Sequence, residues 1–478
     1  MGSEGTSGGR LIAPIAVLGV ALFALGAAGS ASARAPLTLG FDDALLFESG
    51  DPAVRKNGFD MATDLRAGIV RVAVGWRGAA PSNPSPLFDP RDPSDPEYRF
   101  SAVDAAVREA SSRGLEVIIH ATTAPSWAEG PDRPPDARPG TWRPDPSAYG
   151  AFAVALASRY SGTFPDPIQP TKALPKVRYY QAWNEPNLPS YLAPQWSNGR
   201  AESPIVYRRL LNAFYDAVKS VDPQNTVLTA GVAPYGESGF GPRMHPVQFL
   251  RHLFCLQGRR RLRVVCGDRT RFDILADHPI DAYRPTRPAD HPDDAATPDI
   301  GRIRRVLRRA IRAGTAQPRG AKPIWATELW WYTNPPTPGG VPPSRQARWI
   351  EQALYVLWQQ GVHHILLQRL SDGTPTAEQG TGYGTGLVFS DGRRKPAYQA
   401  VRFPFVADRL DKRRVRVWGR PPDPGRVRIQ RRARGAWRTV ARVRARGRSP
   451  FSRKLALRGR ARLRAVAGTQ KSLIWSQR

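Results

Sequence analysis

Short apolar runs alternate with longer amphipathic stretches between about residues 34 and 405. Eight runs have the composition of buried parallel strands: 37–41, 69–74, 115–120, 177–183, 226–231, 272–277, 323–328 and 363–368. The stretches between them carry apolar residues three and four apart, which predicts helices. In one of them we expect Ser101 to cap the helix and Gly114 to end it. Eight strand–helix units predict an α/β fold, a (β/α)₈ TIM barrel.

A doubly wound open sheet is the alternative, but it would need a Gly-rich turn after an early strand to bind its usual ligand, and the sequence has none. The barrel has a consequence for function, because its catalytic groups lie at the C-terminal ends of the strands. Glu185 ends the fourth predicted strand and Glu328 ends the seventh. We therefore expect the two carboxylates to face the same mouth.

Two carboxylates at one mouth suit glycoside hydrolysis. One protonates the leaving oxygen, while the other attacks the anomeric carbon or activates a water molecule. Arg71, at the end of the second strand, is a candidate cation beside the carboxylate that stays ionised. A structural or surface ion pair is the alternative role for Arg71.

Aromatic side chains cluster near the predicted strand ends. Core packing explains any single one of them, but six at one end of a barrel favour a binding cleft for sugar rings. They are Trp76, Trp127, Trp183, Trp330, Trp331 and Tyr332.

Two motifs, "WNEPN" at 183–187 and "ATELWW" at 326–331, resemble the clan A glycoside hydrolases, which are retaining enzymes on (β/α)₈ barrels. The first motif is most similar to glycoside hydrolase family 39, with family 5 next. The resemblance implies that Glu185 is the acid/base and Glu328 the nucleophile. It also implies that Asn184 contacts the sugar 2-hydroxyl.

Strand six departs from the clan pattern His-x-Tyr, in which the tyrosine donates to the nucleophile. His278 matches and is a candidate substrate contact, with a structural core histidine as the alternative. Ile280 stands where the tyrosine would be. Tyr283 is expected to reach in from the loop as a substitute.

The ends of the chain predict export and a second domain. Residues 1–33 form a signal peptide, with an apolar core and an Ala-Ser-Ala cleavage site; an uncleaved anchor is the alternative. The catalytic domain is then 34–405. In 410–478, Arg alternates with apolar residues in short runs, which predicts an immunoglobulin-like β-sandwich. The protein is expected to be secreted, with no transmembrane span in its mature chain.

The net charge of +31 is concentrated in this last domain. Residues 409–478 hold 24 Lys or Arg against two acids. Such a domain could bind an anionic cell-wall polymer, lipid headgroups or nucleic acid, and export argues against nucleic acid. The alternative is that a codon bias toward Arg accounts for these residues, which would then lie on a solvent-exposed face without binding anything.

Cys255 and Cys266 are the two cysteines of the chain, and they could close one disulfide loop after export. No cofactor is expected, and any metal would have to be held by carboxylates. A catalytically inactive glycan-binding protein on the same scaffold remains the alternative to a glycosidase.

Overall fold

The computed structural model describes residues 36–259, 261–373 and 384–477, so the predicted signal peptide lies outside the described residues. Eight parallel strands form one sheet in the order β6-β7-β8-β1-β2-β3-β4-β5, and a parallel bridge between Leu228 and Ile274 closes it into a barrel. The predicted TIM barrel is thus confirmed. The strands are β1 Thr38–Asp42, β2 Ile69–Gly75, β3 Glu116–Thr122, β4 Tyr179–Ala182, β5 Thr226–Leu228, β6 Leu275–Asp277, β7 Ile324–Ala326 and β8 His364–Gln368.

Helices surround the barrel. They are α1 Ala44–Phe47, α2 Pro52–Asp64, α3 Trp76–Ala79, α4 Ser101–Ser112, α5 Pro146–Arg159, α6 Ser203–Val221, α7 Pro246–Leu253, α8 Ile300–Ala313, α9 Pro343–Gln359 and α10 Pro396–Arg402. Asp51 and Asp145 cap α2 and α5 through their side chains, with proline in the first turn of each helix. The expectation for Ser101 was wrong: it is the first helical residue, after Phe100, and no side chain caps this helix. Among the described residues, no helix has the length and apolar character needed to cross a membrane.

The loops add short elements. Single 3₁₀ turns occupy Ser126–Ala128 and Thr297–Asp299. Four small strand pairs join Pro165–Asp166 to Gln169–Ala173, Trp196–Ser197 to Arg200–Ala201, Leu256–Gln257 to Arg263–Val264, and Thr270–Arg271 to Ala316–Gln317.

Two apolar clusters hold the barrel together. The larger one fills the space between strands and helices and continues into the C-terminal domain. The smaller one consists of six buried residues contributed by the strands and the segments beside them: Ile69, Ile118, Leu228, Ile274, Trp325 and Leu366.

Two antiparallel sheets form the C-terminal domain, as a small β-sandwich. The first contains β9 Phe405–Arg409, β10 Arg414–Gly419 and β13 Phe451–Ala456. The second contains β11 Gly425–Ala433, β12 Ala436–Ala445, β14 Arg462–Ala467, β15 Gln470–Lys471 and β16 Trp475–Ser476. The change from helices to antiparallel strands falls at Pro404.

The sandwich packs against the barrel end opposite the mouth and against α9. The Leu37 amide, just before β1, donates to the Arg448 carbonyl at 3.1 Å. On α9, the carboxylate of Glu351 accepts from the Phe405 amide at 3.3 Å, and Arg348 lies over the Trp475 ring at 3.9 Å. These contacts fix the small domain to the barrel.

Candidate active site

Strand β4 ends in an unusual turn that presents Glu185 to the barrel mouth. Both Trp183 and Glu185 have positive φ angles, +70° and +34°. Two backbone hydrogen bonds hold this turn: the Trp183 amide donates to the Ala121 carbonyl at 2.8 Å, and the Glu185 amide to the Gly231 carbonyl at 3.0 Å. Non-glycine residues in this region are strained, and such strain is concentrated at functional sites.

His278 lies between the two predicted catalytic glutamates. Its Nδ1 is 2.9 Å from Oε1 of Glu185, and its Nε2 is 3.6 Å from Oε1 of Glu328. One carboxylate oxygen of each glutamate and a ring nitrogen of His278 all lie within 4.8 Å of one another. Gly231 makes room for the ring, because a Cβ there would come within 2.1 Å of it. The structure therefore brings together three residues from β4, β6 and β7.

Arg71 on β2 is buried in the barrel and contacts Glu328, one of these three residues. It is 2% exposed, and its Nη2 donates to both Glu328 and Asp42, while Nη1 donates to Gln181 Oε1 at 3.3 Å. Burial opposes the charge of Arg71, but the Asp42 and Glu328 carboxylates offset it and raise the pKa. Arg71 is thus a permanent cation that contacts the predicted nucleophile.

Two further acids beside Arg71 were missed from the sequence. Burial raises the pKa of Asp42, although Arg71 opposes the shift. Glu48 accepts from the Ala73 amide at 2.6 Å, and burial together with Asp42 raises its pKa to about 8. Asp42 immediately follows the predicted strand 37–41, so an acid at a strand end was a signal that could have identified it.

The prediction for Tyr283 was wrong. Its side chain is 52% exposed and stacks on Arg287, whose guanidinium carbon is 4.2 Å from the ring centroid. Its amide donates to Asp281, and this turn directs the ring outward. Ile280 lines the cleft at the position where the clan has its tyrosine.

Tyr191 is an aromatic residue that sequence reasoning missed. It lies in the loop after β4, where its carbonyl accepts from Trp183 Nε1 at 2.9 Å. Burial raises the pKa of Tyr191, and the nearby charges of Glu185 and Glu328 raise it further.

The predicted aromatic residues divide into two groups. Trp330 and Trp331 line a cleft of about 470 Å³ that also contains Glu185 and Tyr235. Trp127 is half-buried, and its Nε1 donates to the Pro81 carbonyl at 2.9 Å. Trp330 and Trp331 thus line the cleft beside Glu185, whereas Trp127 packs edge-on against Trp76 and is not among the cleft residues.

Trp76 and Trp183, by contrast, are fully buried and cannot be sugar platforms as predicted. Trp76 begins the single turn α3, which folds its ring back against Phe152 of α5 at 5.5 Å. Trp183 has a left-handed backbone conformation, and its ring packs edge-on against Tyr149 at 5.4 Å. Both belong to the core beneath the site.

Asn184 lies directly beside the acid/base candidate and is 4% exposed. Its side-chain oxygen is buried and has no hydrogen-bond partner among the described residues. A buried polar atom without a partner is uncommon in proteins and is suited to a polar ligand.

Two clusters have donor atoms close enough to hold a metal ion. One is the Glu185–His278–Glu328 group, and the other contains His245, His291 and Asp294. In the second cluster the histidine rings stack face to face at 3.8 Å, so their lone pairs run parallel instead of converging on one ion. This stacking does not fit a metal centre.

Cys255 and Cys266 are joined in a disulfide with a Cα–Cα distance of 5.2 Å. The bond links the segment just after α7 to the loop that precedes β6. The expected pairing is therefore present.

Solved structures share this architecture. A family 39 glycoside hydrolase from Bacteroides cellulosilyticus WH2 matches at TM-score 0.54 and 14% identity, covering 89% of this chain and 82% of that one. A glucosidase from Croceicoccus marinus matches at TM-score 0.52 and 14% identity, covering 89% and 94%. A GH5_18 protein from Streptomyces cattleya in complex with GlcNAc matches at TM-score 0.47 and 18% identity, covering 77% and 79%. No protein-family model and no curated protein matches the sequence.

The first of these neighbours is a family 39 glycoside hydrolase, the family that the first sequence motif resembles most. At 14% identity the likeness establishes the fold.

Proposed function

We propose that this protein is a secreted retaining glycoside hydrolase that cleaves O-glycosidic bonds of an oligo- or polysaccharide. The observation that carries the proposal is the pairing of Glu185 and Glu328, which follow β4 and β7 and bring one carboxylate oxygen each to within 4.8 Å of the other. In retaining enzymes the carboxyl groups lie about 5–5.5 Å apart, whereas inverting enzymes need about 6.5–9.5 Å to admit a water molecule. The short separation supports double displacement.

The surroundings of the two carboxylates support different roles. Glu328 contacts the buried guanidinium of Arg71, and this fixed positive charge stabilises the anion that a nucleophile must be. Glu185, by contrast, contacts the imidazole ring of His278 and lines the cleft. This position supports a role for Glu185 in exchanging a proton with the leaving group.

In the first step, a Glu328 oxygen attacks the anomeric carbon and the glycosidic C–O bond breaks. Glu185 gives its proton to the leaving oxygen, and a glycosyl ester forms on Glu328. In the second step, Glu185 takes a proton from water, the water oxygen attacks the anomeric carbon, and Glu328 is released.

The cleft supports a carbohydrate as the substrate. Trp330, which is half-buried in the cleft lining, offers an apolar face for a sugar ring, and the partnerless side-chain oxygen of Asn184 supports a contact with a substrate hydroxyl. Export through residues 1–33 and association of 410–478 with an anionic cell-wall polymer belong to the same proposal.

A catalytically silent glycan-binding protein is the second candidate. The observation that favours it is Ile280, because an apolar side chain stands where a donor to the nucleophile is expected. Arg71 compensates for that donor in our proposal, because its guanidinium donates to Glu328.

A panel of 2-fluoro glycosides with different sugars tests the proposal by intact mass. We expect one sugar to add a single glycosyl mass, with the modified peptide containing Glu328. Glu328→Gln should prevent the adduct, while Glu109→Gln, the same change on the outer surface of α4, should leave it unchanged. Turnover of a glycan by the Glu328→Gln variant at the wild-type rate would exclude this assignment, and binding without turnover by the wild type would favour the silent protein.

A further inference from the structure

The outer face of the five-stranded sheet carries a regular array of arginines. Strand alternation directs Val427 and Ile429 of β11 into the core, so their neighbours point outward. We call the following outward residues the arginine face: Arg426, Arg428, Arg432, Arg442, Arg444 and Arg464.

The strand register places like charges directly opposite each other. Arg426 pairs with Arg444, and Arg428 pairs with Arg442, across β11 and β12. Directly opposed Cβ atoms lie about 4.5–5.5 Å apart, and like charges in this position destabilise a sheet. Two consecutive pairs of this kind form a two-by-two grid of positive charge, with roughly 7 Å between the pairs along the strands.

No acid among the described residues neutralises the grid. The two acids of residues 409–478 lie outside it: Asp411 pairs with Arg414 at 2.6 Å, and Asp423 pairs with Arg66 at 2.7 Å. The four grid side chains make no ion pair or hydrogen bond within the described parts of the chain. The repulsion inside the grid is therefore relieved by water and dissolved ions alone.

An aromatic ring borders the grid. Trp437 on β12 is half-buried, and the guanidinium of Arg464 lies 4.1 Å from its ring centroid. Arg464 also donates to Gln430 at 2.9 Å, a second contact that holds its guanidinium over the ring. Apolar surface beside spaced guanidinium groups is suited to a ligand that combines rings with anions.

We propose that the arginine face binds a linear acidic polysaccharide, whose regularly spaced carboxylates or phosphates would occupy the grid. A guanidinium group binds either anion through two parallel hydrogen bonds. The choice of a polysaccharide over nucleic acid rests on the proposed function, because the same chain carries a carbohydrate cleft. The grid lies on the sandwich, whereas the cleft is at the barrel mouth, so binding and hydrolysis can be measured separately.

The test measures binding of the full chain to four probes in buffered salt at about 0.15 M, where exposed charges are screened within ~8 Å. The probes are polygalacturonate for carboxylates, inorganic polyphosphate for phosphates, neutral pullulan, and duplex DNA. We expect at least one of the two acidic polymers to bind, with the tighter one naming the anion, and pullulan not to bind.

The paired variant Arg428→Glu/Arg442→Glu should weaken that binding at least tenfold. Its matched control is Arg308→Glu/Arg312→Glu, two exposed arginines on the outer face of α8 that change the net charge equally. The control should change binding less than threefold, and both variants should keep wild-type hydrolysis in the cleft.

Equal losses in the two variants would overturn the proposal, because net charge would then explain the binding. Tighter binding of DNA than of either acidic polymer would also overturn it, as would the absence of binding to both. Loss of hydrolysis in Glu328→Gln with unchanged polymer binding would separate the two proposals. If charge reversal disturbs folding, Arg428→Gln/Arg442→Gln replaces it, with a tenfold loss still expected.

Discussion

Charged side chains are paired in opposite ways at the barrel mouth and on the arginine face. At the mouth, the buried cation Arg71 is shared by Asp42 and Glu328, and the ring of His278 is shared by Glu185 and Glu328. On the arginine face, cations oppose cations and no acid intervenes among the described residues. Burial explains the first arrangement, because a charge removed from water must be paired. Exposure permits the second, since water screens the repulsion.

The difference separates a site whose charged groups contact one another from one whose charged groups have no acidic partner among the described residues. At the mouth each carboxylate contacts Arg71 or the His278 ring, so its geometry is set before any substrate arrives. The positive charges of the arginine face are screened only by water and dissolved ions. Substitution of the charged residues should therefore lower the stability of the protein at the mouth and raise it slightly on the arginine face.

Arg71→Met should have the largest effect. It leaves Asp42 and Glu328 buried without their cation, and breaking a buried pair costs about 3–5 kcal/mol in the free energy of unfolding. Turnover should fall by about 10²–10³, comparable with the loss of a charge-stabilising donor. Urea unfolding and kcat on a glycoside substrate measure the two effects.

A second substitution sharpens that result. In Arg71→Met/Asp42→Asn only Glu328 remains as a buried charge without its cation. Part of the lost stability should therefore return, while turnover stays low. Full turnover in either variant would mean that Arg71 is only structural.

Glu351→Gln should change how stability depends on pH. Burial raises the pKa of Glu351 to about 8, although Arg348 and the Phe405 amide oppose the shift. The folded state thus keeps its proton when the unfolded chain has lost it, so stability falls as pH rises from about 4.5 through 8, by at most ~1.4 kcal/mol per pH unit. The variant should lose this slope.

Thermal unfolding of both proteins from pH 4 to 9 checks the prediction. Asp43 and Glu48, with pKa values raised to about 6 and about 8 by burial, contribute in the same direction in both proteins. The difference between the two curves therefore isolates Glu351. Parallel curves would show that the protonation of Glu351 does not differ between the folded and unfolded states.

Arg428→Gln/Arg442→Gln should have the smallest effect, and it should be a gain. Removing one opposed pair of like charges should stabilise the sheet by about 0.2–1 kcal/mol. Calorimetry at low salt measures the rise in Tm, which should shrink at high salt as the wild-type repulsion is screened. Arg308→Gln/Arg312→Gln serves as the helical comparison, and a fall in Tm for the grid variant would mean that these arginines are held by contacts.

The sequence predicted the frame of the site because periodicity and strand ends are local properties. All eight barrel strands were found, and Glu185 and Glu328 followed from their positions at the ends of β4 and β7. His278 was placed on the correct strand, but its position between both carboxylates depends on the space left by Gly231, 47 residues earlier in the chain. That relation is tertiary.

The errors have a common physical cause. One residue beyond a strand, the backbone angles decide where a side chain points, and these angles are not visible in hydrophobic periodicity. Trp76 enters a helical turn and Trp183 a left-handed conformation, so both rings turn into the core. Tyr283 turns outward for the same kind of reason. Asp42 could have been found by the same strand-end rule that gave Glu185 and Glu328, but its contact with Arg71 depends on the barrel's tertiary packing.

The sandwich is fixed to the barrel at two places, by the hydrogen bond between the Leu37 amide and the Arg448 carbonyl and by the contacts of Glu351 and Arg348 on α9. Two separate attachments oppose rotation of one domain on the other. A molecule held to a polymer by its sandwich would therefore keep its cleft at one fixed angle to that polymer. The protein would cut only those bonds that reach the mouth in this orientation.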